Sequence, residues 1–428
     1  MKKIFVLSAV VAALSIQAQF TVSVQTPSDF NSQDAILYSL NGSRDIIAST
    51  EKVKNGQLTF KYPNTYSGMM KVYFPGSNNT FSFISENKNV NIKLEAKNNK
   101  ISNIIYQDEA NNLMSKQQEG SQKKEVILPA LSQIKEYYKD DTEFGKALKT
   151  EIDRLSGVSN AIDPAQHPFI SYYNTNYSKF IGNDPSKKVS QDDFINFIDK
   201  SNDMLESSSL LRPILVAYLN GGGNANVAGS VDRLLDTLKV ETPRGQTVLS
   251  ELIDIFDVYE MKDLKDKYLS LAKNLKCTIT DRLASTLKSN ANVEIGATFP
   301  NNKFQSPVNT TAKSIYDVKA DKKVIVFWSS TCSHCENELP KLLEKYNDLK
   351  AKNIQIIGLS LDADKDSYSK KIAAFPWIND SELRGWNSTY TETYNVHATP
   401  TYFILDANNK IISRPDHVGD VLEYFKLK

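Results

Sequence analysis

Cys332 and Cys335 flank Ser333 and His334, and they are two of only three cysteines in a chain of 428 residues. Thiols at this spacing can cycle between dithiol and disulfide, supply half of a metal site, or sit unreactive in a core. The preceding run, "KVIVFWSS", is too short for a stable helix and is rich in β-branched and aromatic residues, so it reads as a buried strand. The following run, "CSHCENELPKLLEKYNDLKAK", carries apolar residues at 339, 342, 343, 346 and 349, one face of a helix. Cys332 therefore falls where a helix begins. Unpaired N–H groups and the positive end of the helix dipole favour a thiolate there. Cys335 lies one turn further in. That spacing suits an exposed nucleophile, Cys332, and a protected resolving thiol, Cys335. His334, when protonated, can support the thiolate. A structural zinc site needs four ligands, but no second Cys-x-x-Cys is present, and His334, His397 and His417 are not in a finger-like array. The pair is read as redox-active, with no metal and no cofactor.

Around this pair the pattern is layered. "IQIIGLSLD" is a second buried strand, "DSYSKKIAAF" a short helix after a capping Asp, "TYFILD" and "KIISRP" a hairpin across "ANN", and "GDVLEYFKLK" a closing helix. Residues 291–428 are thus expected to form an α/β domain. Residues 19–107 read differently. "FTVSV", "AILYSL", "GQLTFKYP", "GMMKVYF", "TFSFIS" and "NVNIKL" alternate with turn residues, which predicts an all-β, sandwich-like domain. From 108 to 290 apolar residues recur at helical spacing, as in Leu249, Leu252, Ile253 and Phe256, continuing to Val258 and Tyr259. Breakers such as "IDPAQHP" and "NGGGNANVAG" divide that helical region. Within it Tyr172, Tyr173, Tyr177 and Phe180 are expected to pack, Cys277 to lie buried on a helix or at its end, and His167, between two prolines, to lie at the surface.

The first 18 residues look like a leader. Lys2 and Lys3 precede an uncharged, mostly apolar run from Ile4 to Ile16, and "IQA" then suggests cleavage after Ala18. The run falls short of the about 20 apolar residues that span a bilayer, so the cleaved chain is expected to have no stable membrane insertion. The residue directly after Ala18 is Gln19 rather than a cysteine, so a lipid anchor there is not expected. With 51 basic and 50 acidic residues the chain offers no electrostatic case for a nucleic-acid partner. Hydrophobic residues at 40% and charged residues at 24% place it among ordinary globular proteins. An exported protein of this length with an odd number of cysteines is not held by a disulfide framework, so a close pair points to redox work.

From about Ile295 onward the chain resembles the thioredoxin superfamily, and within it the TlpA/ResA-like exported thiol–disulfide oxidoreductases. The resemblance rests on the Cys-x-x-Cys after "VIVFW", on Pro340 five residues past Cys335, on "ATPTYFILD", and on the opening "IGATFPN". It implies a thioredoxin-like fold for 291–428 and a redox-active Cys332–Cys335 disulfide. It also implies a cis Thr399–Pro400 bond facing the thiols, with Thr399 and Pro400 presenting backbone groups to a partner chain. Where thioredoxins carry a buried Asp this chain has Val326. Glu338 instead matches the Glu that these relatives often carry three residues past the second cysteine; a carboxylate there could take or relay the proton of Cys335 if burial raises its pKa, and the rival reading is a solvated first-turn acid that serves the helix dipole. Thr331 replaces the usual Trp, and Ser-His between the cysteines matches DsbA-like oxidants at the histidine only. More loosely, residues 20–110 resemble a β domain of unassigned function found before such domains in Gram-negative bacteria.

The function expected from all this is exchange with disulfides of substrate proteins in the periplasm or cell envelope of a Gram-negative bacterium. Reduction is the expected direction, with electrons from a membrane thiol-transfer protein, as the resemblance implies. Two rivals stand beside it. One is an oxidant or isomerase of the same fold, motivated by His334. The other is an envelope ligand-binding protein that uses the thioredoxin-like part for docking.

Overall fold

A computed structural model describes residues 19–427 except 29, 31, 158–161, 183–188 and 222–225. The expected leader, residues 1–18, and most of the "GGGNAN" breaker lie outside the described residues. The chain divides into two compact units. One comprises the described residues up to 40, together with 44–178 and 206–208; the other comprises 41–43, 179–205 and 209–428.

The first unit opens with eight strands: β1 Phe20–Gln25, β2 Asp34–Asn41, β3 Arg44–Lys52, β4 Gln57–Tyr62, β5 Ser67–Phe74, β6 Asn79–Glu86, β7 Val90–Lys97 and β8 Lys100–Tyr106. They form two four-stranded sheets, β4-β1-β7-β8 and β3-β2-β5-β6. Strict alternation along β4 and β7 sends Leu58, Phe60, Val90, Ile92 and Leu94 inward. They meet Leu37, Val72, Phe81 and Phe83 of the other sheet in one core. Strands β3 and β8, absent from the six runs read as strands, are sheet edges, as are β4 and β6. Unlike β4, they contain no buried residue, so they carry little apolar alternation and their sequence signal is weak.

Helices α1 Glu109–Lys135, α2 Glu143–Gly157 and α3 Pro168–Phe180 follow. His167 is not at the surface. It is 6% exposed, and its Nδ1 lies 3.0 Å from Glu86 Oε2. Glu86 Oε1 accepts the N–H groups of Phe169 and Ile170, so a buried carboxylate closes the start of α3. A residue 81 positions away supplies the partner that the loop itself lacks.

The second unit begins with the remaining helices of the middle region: α4 Gln191–Lys200, α5 Met204–Ser207 (shared with the first unit), α6 Leu211–Gly221, α7 Val227–Leu238, α8 Pro243–Val258, α9 Lys262–Lys273 and α10 Asp281–Ala291. Phe180 is buried here and stacks on Phe197 at 4.4 Å. Helix α8 is buried from Gly245 to Phe256 and so includes two acids. Arg282 bonds both Glu251 and Asp254, and Arg212 adds a second bond to each. Burial works to raise the Glu251 carboxyl, but the two guanidinium groups outweigh it and hold the group below its usual range. Val258 and Tyr259 do not continue the buried face, being 39% and 60% exposed where the helix ends. Cys277 sits in the loop between α9 and α10, half-buried, with the Gln246 amide 3.4 Å from its sulfur. The turn after Lys273 ends the helix before the cysteine is reached, which corrects both its expected helical position and its full burial.

The rest of the unit is β9 Lys322–Trp328, α11 Ser333–Glu344, α12 Tyr346–Ala351, β10 Ile354–Ser360, α13 Lys365–Ile372, β11 Ile378–Ser381, α14 Thr389–Thr393, β12 Thr401–Asp406, β13 Ile411–Ser413 and α15 Val418–Tyr424. The sheet order is β11-β10-β9-β12-β13. Strands β9, β10 and β11 run parallel; β12 is antiparallel to β9 and to β13. The central strand β9 is buried on both faces, as a continuous apolar run requires. Val324, Val326 and Trp328 face a core containing Leu339 and Leu342 of α11, whereas Ile325 and Phe327 face Phe299, Tyr390 and Tyr394. Among the described residues no helix is long and apolar enough to cross a membrane.

Candidate active site

Strand β9 ends at Trp328, and four residues later Cys332 caps α11. Its backbone is extended, with φ −88° and ψ 115°, and its sulfur accepts the N–H of Cys335 at 3.1 Å. This is the service a Ser or Asp side chain gives at other helix starts, and a thiolate would perform it with a full charge. The Cys332 thiol also donates to the carbonyl of Thr399, 3.1 Å away. Cys332 is half-buried and Cys335 is 1% exposed. Burial, and then the hydrogen bond with Cys332, pushes the Cys335 thiol up to about 12. Both cysteines are free thiols in this structure.

The loop between strand and helix is held from below by Asp362, just past the end of β10. Its carboxylate accepts Ser329 Oγ at 3.0 Å, Ser330 N–H at 2.9 Å, Ser330 Oγ at 2.7 Å and Ser360 Oγ at 2.7 Å. The Asp362 side chain is thus spent on fixing the loop that leads into Cys332. Asp362 went unnoticed in the sequence; an acid directly after an apolar strand of a parallel sheet is the signal that could have found it.

Glu338 is one turn past Cys335 on α11. It is not a freely solvated first-turn acid. Its side chain is 16% exposed, and Oε2 accepts both the Tyr402 hydroxyl and the Val418 N–H at 3.0 Å. His417 Nδ1 lies 3.4 Å from Oε1. Tyr402 is buried in the same core as Cys335, and it pairs across the ladder with Val326. Burial, and then the neighbouring Glu338, pushes the Tyr402 phenol well above its ordinary value, so it remains a donor to the carboxylate. Strand position 326 therefore brings no acid to the thiols; the carboxylate comes from the helix, tethered by a tyrosine on the facing strand. Tyr402 also went unnoticed. Its place, two residues past Pro400 on an apolar strand, marks it as inward-facing but not as a hydrogen-bond donor to Glu338.

The Thr399–Pro400 peptide bond is cis. Thr399 comes to Cys332 through its carbonyl, as described. His334 is exposed on the outer side of the first turn of α11. The structure thus gathers Cys332, Cys335, Thr399 and Pro400 at one place, sets Glu338 one turn behind them, and leaves His334 in solvent. Among the described residues no three His, Cys, Asp or Glu side chains are grouped to hold a metal ion.

A family profile described as Thioredoxin-like matches residues 321–411. The chain is 29% identical over 102 residues to the thiol-disulfide oxidoreductase ResA of a Bacillus cereus strain, covering 23% of this chain and 56% of that one. It is 28% identical over 109 residues to a probable nucleoredoxin 1 of Arabidopsis thaliana, covering 24% of this chain and 18% of that one. The chain thus spans less than two thirds of the length of these relatives. A solved domain of a possible thiol-disulfide isomerase from Cytophaga hutchinsonii is 26% identical, with a TM-score of 0.28, covering 31% of this chain and 92% of that one.

Proposed function

We propose, from the premise that the C-terminal domain belongs to the TlpA/ResA-like branch of the thioredoxin superfamily, that this protein is a thiol–disulfide oxidoreductase acting on protein disulfides. The observation that carries the reading is the pairing of a half-buried Cys332 at a helix start with a buried Cys335 whose N–H points at the first sulfur. In the reducing direction Cys332 loses its proton to solvent, and the thiolate attacks a partner's disulfide. One S–S bond breaks as the Cys332–partner bond forms, and the first partner sulfur leaves as thiolate. Cys335 then gives up its proton and attacks Cys332. The second partner sulfur leaves, and the Cys332–Cys335 disulfide holds the oxidised state. Two electrons pass to the partner, and two protons end on its thiols.

The difficult step is the deprotonation of Cys335, because burial disfavours its thiolate. Glu338 is the nearby carboxylate for that proton, held at the edge of the core by Tyr402 and the Val418 N–H. Thr399 and Pro400 present backbone to the incoming chain. The leader-like residues 1–18 support export, and with it a periplasmic or envelope location and a membrane thiol donor to recycle the disulfide. The reading is tested by an insulin-reduction assay together with titration of the Cys332–Cys335 reduction potential. Turnover with a reducing potential is expected. No turnover in either direction from a folded, fully reduced protein would overturn the enzyme reading. Capture of a mixed disulfide by a Cys335→Ala variant names the partner.

A further inference from the structure

Helix α8 ends with a carboxylate where the dipole disfavours one. Asp257 lies in its last turn, at the negative end of the helix. Part of that cost is offset by Lys265 of α9, buried and 2.5 Å from Asp257 Oδ1. The other oxygen, Oδ2, turns to the loop that leads into the cis proline and accepts the Asn395 amide at 2.6 Å. A carboxylate cannot donate, so this contact fixes the amide's orientation: Nδ2 faces Asp257, and Oδ1 faces the donors. Oδ1 accepts Ser289 Oγ of α10 at 3.0 Å and lies 3.2 Å from His397 Nε2, which must therefore carry the proton. His397 Nε2 is also 3.9 Å from Asp257 Oδ2. Asn395 is 4% exposed and sits at φ 49°, a left-handed conformation that this network holds in place. Helix α10 adds Ser285 Oγ to Glu392 at 2.8 Å, and Asn292, just past its end, adds Nδ2 to the Thr393 carbonyl at 3.0 Å. Two residues beyond His397 comes Thr399, whose carbonyl takes the Cys332 thiol.

We propose that Asp257, on a helix outside the thioredoxin-like segment, is a positioning residue for the exchange reaction: through Asn395 and His397 it sets the backbone that presents Thr399 to Cys332. This rests on the exchange reading given above. It makes helices α8 to α10 a working part of the site. The thioredoxin-like segment taken alone lacks Asp257 and Ser289, which bond Asn395 at the start of its cis-proline loop. Because Thr399 accepts from the Cys332 thiol but repels the thiolate, a shift of that carbonyl changes the acidity of Cys332 as well as the fit of the partner chain.

The test uses the full chain and two measurements. The first is the pH dependence of Cys332 alkylation, followed on its own peptide by mass spectrometry so that Cys277 and Cys335 do not interfere. The second is the rate of disulfide exchange. Asp257→Ala is expected to move the midpoint of the alkylation profile by about half a pH unit or more. It should lower kcat/KM roughly ten- to hundredfold, as a small misplacement near the reacting atoms does. Asp257→Asn, which keeps one acceptor oxygen for Asn395, should recover much of both. Asn395→Gly accepts the positive φ, removes the amide, and makes the same prediction; it decides the matter if Asp257→Ala does not fold. Lys267→Met is the control: it lies on the same helix as Lys265 but bonds Asp232 of α7 rather than Asp257, and it should leave the profile where it was. An unchanged profile in folded Asp257→Ala or Asn395→Gly protein overturns the proposal. So does a shift of equal size in Lys267→Met, which would mean general loosening. The alkylation profile needs no turnover, so it decides this proposal even if the wild-type chain reduces no disulfide and the exchange reading fails.

Discussion

The two β regions of this chain solve the same burial problem in opposite ways. In the N-terminal sandwich strands such as β4 and β7 bury one face, so apolar and polar residues alternate and the polar half faces solvent. In the C-terminal sheet the central strands bury both faces, and polar chemistry is pushed to their ends. Cys332, its supporting Asp362 and the Thr399–Pro400 turn all lie at strand ends for that reason. The buried ionisable groups follow the same division. In the sandwich unit Glu86 is committed to His167 and to two N–H groups of a helix start, which leaves it nothing to do but hold. Glu338 behind the thiols also takes two donors on one oxygen and has a histidine at the other, but that histidine, His417, is 64% exposed. The two carboxylates share a pattern of partners and differ in how much water reaches it.

Breaking the chemical side should give the largest effect. Cys332→Ser is expected to lower exchange by at least about a thousandfold, since a nucleophile acts as one unit with the groups around it. Cys335→Ser should instead accumulate mixed disulfides on Cys332, visible as thiol-labile adducts by non-reducing electrophoresis. Faster alkylation of Cys335 than of Cys332 in the reduced protein would contradict this assignment.

The holding side is broken by Glu86→Ala. It leaves His167 and two helix-start N–H groups without their buried acceptor, at a cost on the order of 3 kcal/mol. All three tryptophans, Trp328, Trp377 and Trp386, belong to the second unit. Far-UV circular dichroism of urea unfolding should therefore show the loss, while the exchange rate of folded protein changes less than about twofold. A large fall in exchange would mean that the sandwich unit contributes to the site.

Proton transfer sharpens the contrast between the two carboxylates. The raised Cys335 pKa means a neutral thiol at pH 7 and a thiolate fraction that grows as pH rises toward about 12. Release of a partner from its Cys332 adduct should accelerate with pH accordingly. Glu338→Gln should slow that step roughly ten- to hundredfold at pH 7, with the gap closing at higher pH where solvent hydroxide removes the proton. Stopped-flow tryptophan fluorescence of the adduct reads this directly. A constant ratio at every pH would assign Glu338 to structure alone.

His334→Pro should have the smallest effect. A charge beside the helix start favours the reduced form, but His334 is exposed, and screening leaves it about 30 mV or less on the redox potential. The expected sign is a lower potential and a higher Cys332 pKa. An upward shift would show that the ring does not support the thiolate.

What could be read along the chain was whatever depends on near neighbours. Apolar spacing marked the β9 strand and the α11 helix, and their junction put Cys332 at a helix start with Cys335 one turn on. Alternation marked six strands of the sandwich but passed over β3 and β8, which contain no buried residue and so have no pattern to show. The four-residue β11 was also missed: it is too short for a period, and Asn379 and Asp380 within it hide its burial. The site beyond the two cysteines was decided only by packing. Thr399 reaches Cys332 across 67 positions, His167 finds Glu86 across 81, and Asn395 finds Asp257 across 138. Residue types can nominate such groups, but whether a polar side chain meets a partner or water depends on which distant surfaces the fold brings together. Desolvation then follows from that meeting. It separates Cys335 from Cys332, and Glu338 from the exposed acids of the same helix.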